Sequence, residues 1–142
     1  MIKIPISKKQ QEIISYLFFG GLTTLVNFAV YIFFVHLIGF SIAVSNVIAW
    51  VAAVLFAFVT NKLWVFQSRS WMAKQVLREA GAFLGARIAT GLLDIVGVPL
   101  LFYTGLRYPL FGIEGFAAKL TIMLIVIALN YVFSKVFVFR TR

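Results

Sequence analysis

Four long apolar stretches, separated by short polar segments, dominate the pattern of this 142-residue chain. Each stretch is close to the roughly 20 residues that a helix needs to cross the hydrocarbon core of a bilayer. The stretches cover residues 16–37, 42–66, 80–104 and 116–139. The pattern therefore predicts an all-α membrane protein in which four transmembrane helices form a single domain over residues 1–142.

Most basic residues lie between these stretches or near their ends, on one side of the predicted membrane. The chain is 63% hydrophobic with a net charge of +9, too apolar for the surface of a soluble domain. The positive-inside rule predicts that both termini and the loop 67–79 face the cytoplasm, so a nucleic-acid partner is not needed to explain the charge. The residues on which this orientation depends are Lys3, Lys8, Lys9, Lys62, Arg69, Lys74, Arg78, Lys135, Arg140 and Arg142.

The chain also contains an internal repeat. The segment TNKLWVFQSR at 60–69 aligns with FSKVFVFRTR at 133–142, and we call this the second-helix alignment. The first-helix alignment pairs the first span with the third, and it matches Glu12 with Glu79, Thr23 with Thr90 and Asn27 with Asp94. We interpret the chain as two copies of a two-helix hairpin that enter the membrane from the same side. Such parallel repeats are common in transporters, where the substrate site lies near the repeat interface.

Four polar residues lie deep inside the predicted spans: Asn27, Arg87, Asp94 and Asn130. A charged side chain costs roughly 2.5–3.5 kcal/mol at this depth, so such residues face a bundle interior or a wet cavity. Arg87 and Asp94 share one helix face about 10 Å apart, so we expect each to meet another helix or a ligand. Asn130 also needs a partner. Two explanations stay open: a structural ion-pair or hydrogen-bond network, and a site where the Arg87 guanidinium binds an anionic headgroup.

A pair of lysines occupies the same position in both repeats, near the end of the second and fourth spans. Lys62 follows Asn61, and Lys135 follows Ser134. Lysines near helix ends often extend to the interface and serve only as anchors. The alternative hypothesis is that Lys62, Lys135 and Arg87, helped by Asn61 and Ser134, form one cationic pocket for a lipid phosphate.

A stripe of small and polar residues follows one face of the second span. We expect this stripe to pack against other helices, because small side chains let helix backbones approach closely. Its members are Asn46, Ala49, Ala53, Ala57 and Thr60.

Residue sets typical of enzymes are not found. The chain has one histidine, no cysteine and four acidic residues. These do not form a catalytic triad, a carboxylate pair or a metal-ligand spacing, and the glycines do not form a phosphate-binding loop motif. We therefore expect no catalytic residues, no metal and no cofactor.

Three segments carry a resemblance to a known family: YLFFGGLTTLVNFAVY, SNVIAWVAAVLFAFVTNKLWVF and LNYVFSKVFVFR. They resemble the GtrA-like family of small bacterial membrane proteins, and the similarity covers nearly the whole chain. The family often has an acid where this chain has Asn27, and Asp94 supplies an acid at the repeat-equivalent position.

The resemblance implies a flippase or scramblase in the bacterial cytoplasmic membrane. Its cargo would be a polyprenyl-phosphate-linked monosaccharide, typically undecaprenyl phosphate glucose, used to glycosylate a cell-surface polysaccharide or teichoic acid. Membrane glycosyltransferases would be the partners. On this hypothesis Lys62, Lys135 and Arg87 bind the phosphate, while Asn27, Asp94 and Asn130 handle the sugar or gate its path.

Two alternatives stay open. The chain could be a non-transporting subunit that anchors a glycosyltransferase through the cytoplasmic loop around Trp71. A small cation exporter is the other, but that class needs an acid in the first span, where this chain offers Asn27. Because four helices enclose little interior space, we also expect self-association.

Overall fold

The computed structural model describes residues 5–112 and 114–139, and this part of the chain contains four long helices. The helices are α1 (Lys8–Ile32), α2 (Ile42–Thr60), α3 (Ala73–Thr104) and α4 (Phe116–Phe133). Three of them continue into a π-helical turn: α1 into Phe33–Ile38, α2 into Asn61–Val65 and α4 into Ser134–Val138. All four are long and apolar enough to cross a membrane. The predicted all-α, four-span class is confirmed. The orientation of the termini stays a prediction, and three of its basic residues, Lys3, Arg140 and Arg142, lie outside the described residues.

Two helices begin earlier than the apolar pattern predicts. Helix α1 starts at Lys8 rather than at residue 16, and α3 starts at Ala73 rather than at residue 80. Ser7 forms a capping box with Gln10: its hydroxyl accepts from the Gln10 N–H at 3.2 Å, and its own N–H donates to Gln10 Oε1 at 3.0 Å. The predicted loop 67–79 is correspondingly shortened, because hydropathy detects the apolar part of a helix and not its polar first turns.

Both hairpin connections contain glycines with positive φ. Gly39 adopts φ 80° after the first π-helical turn, a left-handed conformation that glycine accepts at little cost. The Ser41 hydroxyl then caps α2 by accepting from the Val44 N–H at 3.3 Å. At the connection between α3 and α4, Gly105 and Gly115 also have positive φ.

The chain divides into two compact units, one holding α1 and α2 and the other α3 and α4, with the boundary between Ser70 and Trp71. Within each unit the two helices pack against each other as an antiparallel hairpin. The first unit, with its π-helical turns, is called hairpin 1 and the second hairpin 2. This division agrees with the two-hairpin repeat predicted from the sequence.

The small-residue stripe of α2 is buried, with one correction. Ala49, Ala53 and Ala57 are buried as expected, and so is Thr60. Asn46 is exposed, and Ser45 takes the buried place instead, because the four-residue spacing of the alanines extends back to position 45. Small side chains at this spacing let neighbouring helices approach closely.

Large apolar side chains cover the outside of all four helices. Leu25, Leu55, Ile95 and Leu124 are among the many that remain exposed. An apolar exterior of this extent, on helices that satisfy their own backbone hydrogen bonds, is what a bilayer requires.

Candidate functional site

The two hairpins close with the same aromatic contact. In hairpin 1 the Tyr16 and Phe66 rings have centroids 6.4 Å apart and planes inclined by 54°. In hairpin 2 the Phe83 and Phe139 rings lie 6.2 Å apart at 51°. The first-helix alignment makes Tyr16 equivalent to Phe83, and the second-helix alignment makes Phe66 equivalent to Phe139. The repeat is therefore present in the packing as well as in the residue pattern.

A π-helical turn precedes Phe66 in hairpin 1 and Phe139 in hairpin 2. The Phe66 N–H donates to the Asn61 carbonyl and the Phe139 N–H to the Ser134 carbonyl, both at 2.8 Å. π-Helical turns are rare and occur frequently at functional sites. Each of these two turns carries one of the paired lysines, Lys62 or Lys135.

The two lysines differ in exposure although the repeat makes them equivalent. Lys62 is 0% exposed, and its ammonium donates to Ser68 Oγ at 3.1 Å. Lys135 is exposed; its ammonium donates to the Tyr131 hydroxyl at 3.4 Å and lies 5.7 Å from the centre of that ring. Lys62 therefore does not extend outward as a snorkelling lysine would, whereas Lys135 is accessible to a ligand.

The residues before the lysines are both buried. The Asn61 amide nitrogen donates to the Ala57 carbonyl at 2.7 Å. Its Oδ1 atom has no hydrogen-bond partner within the part of the chain that the structure describes. Asn61 thus presents an acceptor, which suits an ammonium or hydroxyl group better than a phosphate. Ser134 carries a hydroxyl at the matching position of hairpin 2.

Arg87 is held by the aromatic contact of hairpin 2. It is half-buried, and its guanidinium carbon lies 4.9 Å from the centre of the Phe83 ring, within the range of a cation–π interaction. Arg87 follows Phe83 by one turn of α3, and Lys135 precedes Phe139 by one turn of the antiparallel partner. Both displacements are about 6 Å in the same direction, so Arg87 and Lys135 lie at the same depth of hairpin 2.

Further along the same two helices, Asn130 is bonded to Thr90. The Thr90 hydroxyl donates to Asn130 Oδ1 at 2.9 Å, and both side chains are buried. This satisfies the expectation that Asn130 needs a partner inside the membrane. Thr90 was recognised in the sequence only as part of the repeat.

Asp94 pairs with a lysine on α4. Lys119 Nζ lies 2.7 Å from both carboxylate oxygens of Asp94, and the side chains of Lys119 and Asp94 are 51% and 33% exposed, respectively. The sequence predicted that Asp94 meets another helix or a ligand, and within hairpin 2 it meets another helix. In the sequence, the feature that points to Lys119 as the partner of Asp94 is its opposite charge. Lys119 lies on the same face of the fourth span as Asn130.

The structure thus places four of the predicted site residues on one hairpin. Arg87 and Lys135 lie at one depth of hairpin 2, and Asn130 and Asp94 form polar contacts with Thr90 and Lys119 further along its helices. Lys62 belongs to hairpin 1, as does Asn27, which is half-buried on α1 and lines a cleft with Asn46. The convergence of all three cations on one ligand stays a prediction.

These features define a small multi-pass membrane protein built from two repeated helical hairpins, with lysine-bearing π-helical turns and polar pairs inside its spans. The chain belongs to the family described as GtrA/DPMS, transmembrane domain, whose model matches residues 15–139. The predicted resemblance is confirmed, and the chain is a multi-pass bacterial membrane protein.

Relatives of similar length support the same assignment. The chain is 39% identical over 131 residues to the cell wall teichoic acid glycosylation protein GtcA of Listeria innocua, covering 92% of this chain and 86% of the relative. It is 37% identical over 141 residues to GtcA of Listeria monocytogenes, covering 99% and 93%. A membrane protein of Bacillus subtilis, YwcD, is 31% identical over 125 residues, covering 88% and 94%. No solved structure matches the chain.

Proposed function

We propose that this protein moves a polyprenyl-phosphate-linked monosaccharide, such as undecaprenyl phosphate glucose, across the bacterial cytoplasmic membrane. The sugar would then be available to a glycosyltransferase that modifies a cell-surface polymer. The observation that carries the proposal is the placement of two cations, Arg87 and Lys135, at one depth of hairpin 2. The names of the GtcA relatives, which refer to teichoic acid glycosylation, support a role in modifying a cell-surface polymer.

The Arg87–Lys135 pair suits a phosphodiester. A guanidinium offers planar donors that match phosphate oxygens, and an ammonium adds a point charge. Phe83 orients Arg87 from one side, which reduces the entropy that the side chain loses on binding. Lys62 is the third proposed phosphate ligand. Because its ammonium is buried against Ser68, this role requires that contact to open when the lipid binds.

The polar side chains further along the hairpins provide a route for the sugar. Asn130, Asp94 and Asn27 lie inside the spans, where hydroxyl groups would otherwise have no hydrogen-bond partners. We assign Asp94 and Asn130 a gating role, because their contacts with Lys119 and Thr90 join α3 to α4. A sugar that replaces these contacts would remove two polar contacts that hold α3 against α4.

A second candidate function is that of an accessory subunit that docks a glycosyltransferase. Beside the start of α3, Met72 and Leu77 are strongly exposed, and Met72, Lys74, Gln75 and Arg78 line a shallow cleft of about 290 Å³. An apolar and basic surface of this kind would fit a partner protein, and it would equally fit the membrane interface.

Reconstitution separates the two candidates. The purified chain would be placed in liposomes that contain a labelled polyprenyl phosphate glucose and no transferase, and movement of the label between leaflets would be followed. Transport by the wild type supports the first function, and a rate equal to that of empty liposomes contradicts it.

Variants of the cation pair test which residues carry transport. Lys135→Met and Arg87→Met should each slow transport about tenfold or more, because each removes a charge-assisted contact. Lys74→Met, which removes an exposed cation on the same helix as Arg87, is the matched control and should transport normally. Normal transport by both Lys135→Met and Arg87→Met would contradict the assigned roles.

A further inference from the structure

An open cleft lies between the two helices of hairpin 1, on the side of the connecting turn. Its volume is about 300 Å³, and its lining comprises Asn27, Phe28, Tyr31, Ile42, Ala43 and Asn46. Asn27 lies about 18 Å along the helix from the turn and Asn46 about 8 Å. The cleft therefore extends from the turn toward the interior of the predicted membrane span.

The polar groups of this cleft are not used by the protein itself. Among residues 5–112 and 114–139, the side chains of Asn27 and Asn46 make no hydrogen bond to another residue. Amide groups that face hydrocarbon without a partner are costly, since lipid chains cannot replace the hydrogen bonds of water. Such groups in a transmembrane segment are candidates for contact with a polar ligand.

The repeat supplies an internal comparison. Asn27 is equivalent to Asp94 in the first-helix alignment, and Asn46 is equivalent to Lys119 in the second-helix alignment. In hairpin 2 these positions form an ion pair at 2.7 Å. In hairpin 1 the same two positions carry uncharged amides that do not bond to each other. The two repeats thus place a polar pair at one position, but hairpin 1 leaves its pair available.

We propose that this cleft binds a single hexopyranose ring, the sugar of the lipid-linked substrate. Each amide offers both a donor and an acceptor, as sugar hydroxyls require, while Phe28 and Tyr31 supply aromatic faces for the C–H side of the ring. The volume, about 300 Å³, lies at the lower end of the range for small-molecule sites and is sufficient for one ring. The identity of the attached lipid rests on the proposed function, whereas binding of the sugar rests on the cleft.

Lipid selectivity tests this site directly. Native mass spectrometry of the full chain in detergent would compare binding of polyprenyl phosphate glucose with binding of the same polyprenyl phosphate without sugar. The wild type should prefer the glucosylated lipid. Asn27→Leu and Asn46→Leu should each reduce that preference about three- to tenfold, the loss expected for one or two hydrogen bonds, while binding of the sugar-free lipid stays unchanged. Val47→Leu, beside Asn46 and exposed, is the matched control and should keep the full preference.

The possible outcomes separate this inference from the proposed function. Equal preference in the wild type and both asparagine variants would overturn the sugar site, even if transport occurs. A preference that depends on the asparagines, in a chain that moves no lipid in liposomes, would support the site and contradict the transport function.

Two further measurements complete the test. Binding of the glucosylated lipid would also be measured with free glucose in large excess. If free glucose displaces the lipid, the cleft recognises the sugar alone. If it does not, and the preference still depends on the asparagines, the sugar binds only when it is attached to the lipid. Thermal unfolding of each variant, compared with Val47→Leu, identifies any loss of binding that arises from misfolding. In that case Asn27→Ala and Asn46→Ala replace the leucine variants.

Discussion

At the scale of single residues, the paired lysines show that equivalent positions of a repeat can differ in burial and in contacts. Alignment of the repeats makes Lys62 and Lys135 equivalent, and both lie in a π-helical turn of the same form. Lys62 is nevertheless buried and bonded to Ser68, whereas Lys135 is exposed beside Tyr131. We infer that Lys62 contributes to the stability of the fold and that Lys135 contributes mainly to ligand binding.

This difference can be measured with Lys62→Met and Lys135→Met, which keep the aliphatic chain and remove the charge. Lys62→Met removes the buried hydrogen bond to Ser68 Oγ, so we expect a loss of about 1–3 kcal/mol in the free energy of unfolding. Lys135→Met should unfold at nearly the wild-type temperature. Thermal unfolding of the purified proteins in detergent measures both. Equal destabilisation by the two substitutions would show that the lysines play the same part.

The contact partners and the burial of individual side chains were the hardest features to predict from the sequence. The pattern located Asn130 and Asp94 inside the spans and showed that each needs a partner, but it did not say which. Opposite charge on the fourth span was the available signal for Lys119, whereas nothing in the polarity of Thr90 distinguished it from other threonines that bond to their own helix. Burial of Lys62 could not be predicted either, because its hydrogen-bond partner Ser68 lies beyond the helix end, where the apolar pattern gives no guidance.

At the scale of helices and hairpins, the two repeats share their closing contacts and differ in their polar pairs. The aromatic contacts and π-helical turns match closely. The pair inside hairpin 2 is ionic, and the equivalent pair inside hairpin 1 is formed by two amides. This difference in polar pairs is the basis on which we propose a phosphate site in hairpin 2 and a sugar site in hairpin 1.

The ion pair of hairpin 2 can be tested by making it resemble hairpin 1. Lys119→Met alone leaves the Asp94 carboxylate without its cation inside a span, so we expect a lower unfolding temperature than that of the wild type. The double substitution Asp94→Asn with Lys119→Asn removes both charges and should recover most of that decrease. Thermal unfolding in detergent again provides the measurement. A double variant as unstable as Lys119→Met would mean that the ion pair itself, rather than an unpaired charge, sets the stability.

Helix existence was easier to predict than helix length. Each apolar stretch is long enough to demand a spanning helix, so the four helices followed from hydropathy alone. The early starts of α1 and α3 lie in polar sequence, where the capping box of Ser7 and Gln10 was the available signal for α1. The π-helical turns could not be predicted, because a one-residue change in hydrogen-bond register leaves no mark on hydropathy.

At the scale of the whole molecule, the distribution of charge implies one orientation in the membrane. Basic residues precede the first span, recur in the segment between α2 and α3 and end the chain, which predicts that both termini lie in the cytoplasm. This orientation would place Arg87 and Lys135 near the inner leaflet, where a polyprenyl-phosphate sugar made in the cytoplasm would arrive.

The absence of cysteine from the sequence makes this orientation simple to test. Lys74→Cys and Glu114→Cys place single thiols at exposed positions near opposite ends of hairpin 2. In intact cells, a membrane-impermeant maleimide should label Glu114→Cys and should reach Lys74→Cys only after the membrane is permeabilised. The reverse pattern would place the lysine-bearing π-helical turns on the outer face and would reverse the direction of loading.

Our proposal requires that one lipid phosphate bind between Arg87 and Lys135. An experimental structure of the chain with polyprenyl phosphate glucose bound tests it most directly. We predict phosphate oxygens about 2.7–2.9 Å from the nitrogen atoms of both side chains, as in other charge-assisted hydrogen bonds. A phosphate bound elsewhere, with these two side chains pointing separately into surrounding lipid, would contradict the account.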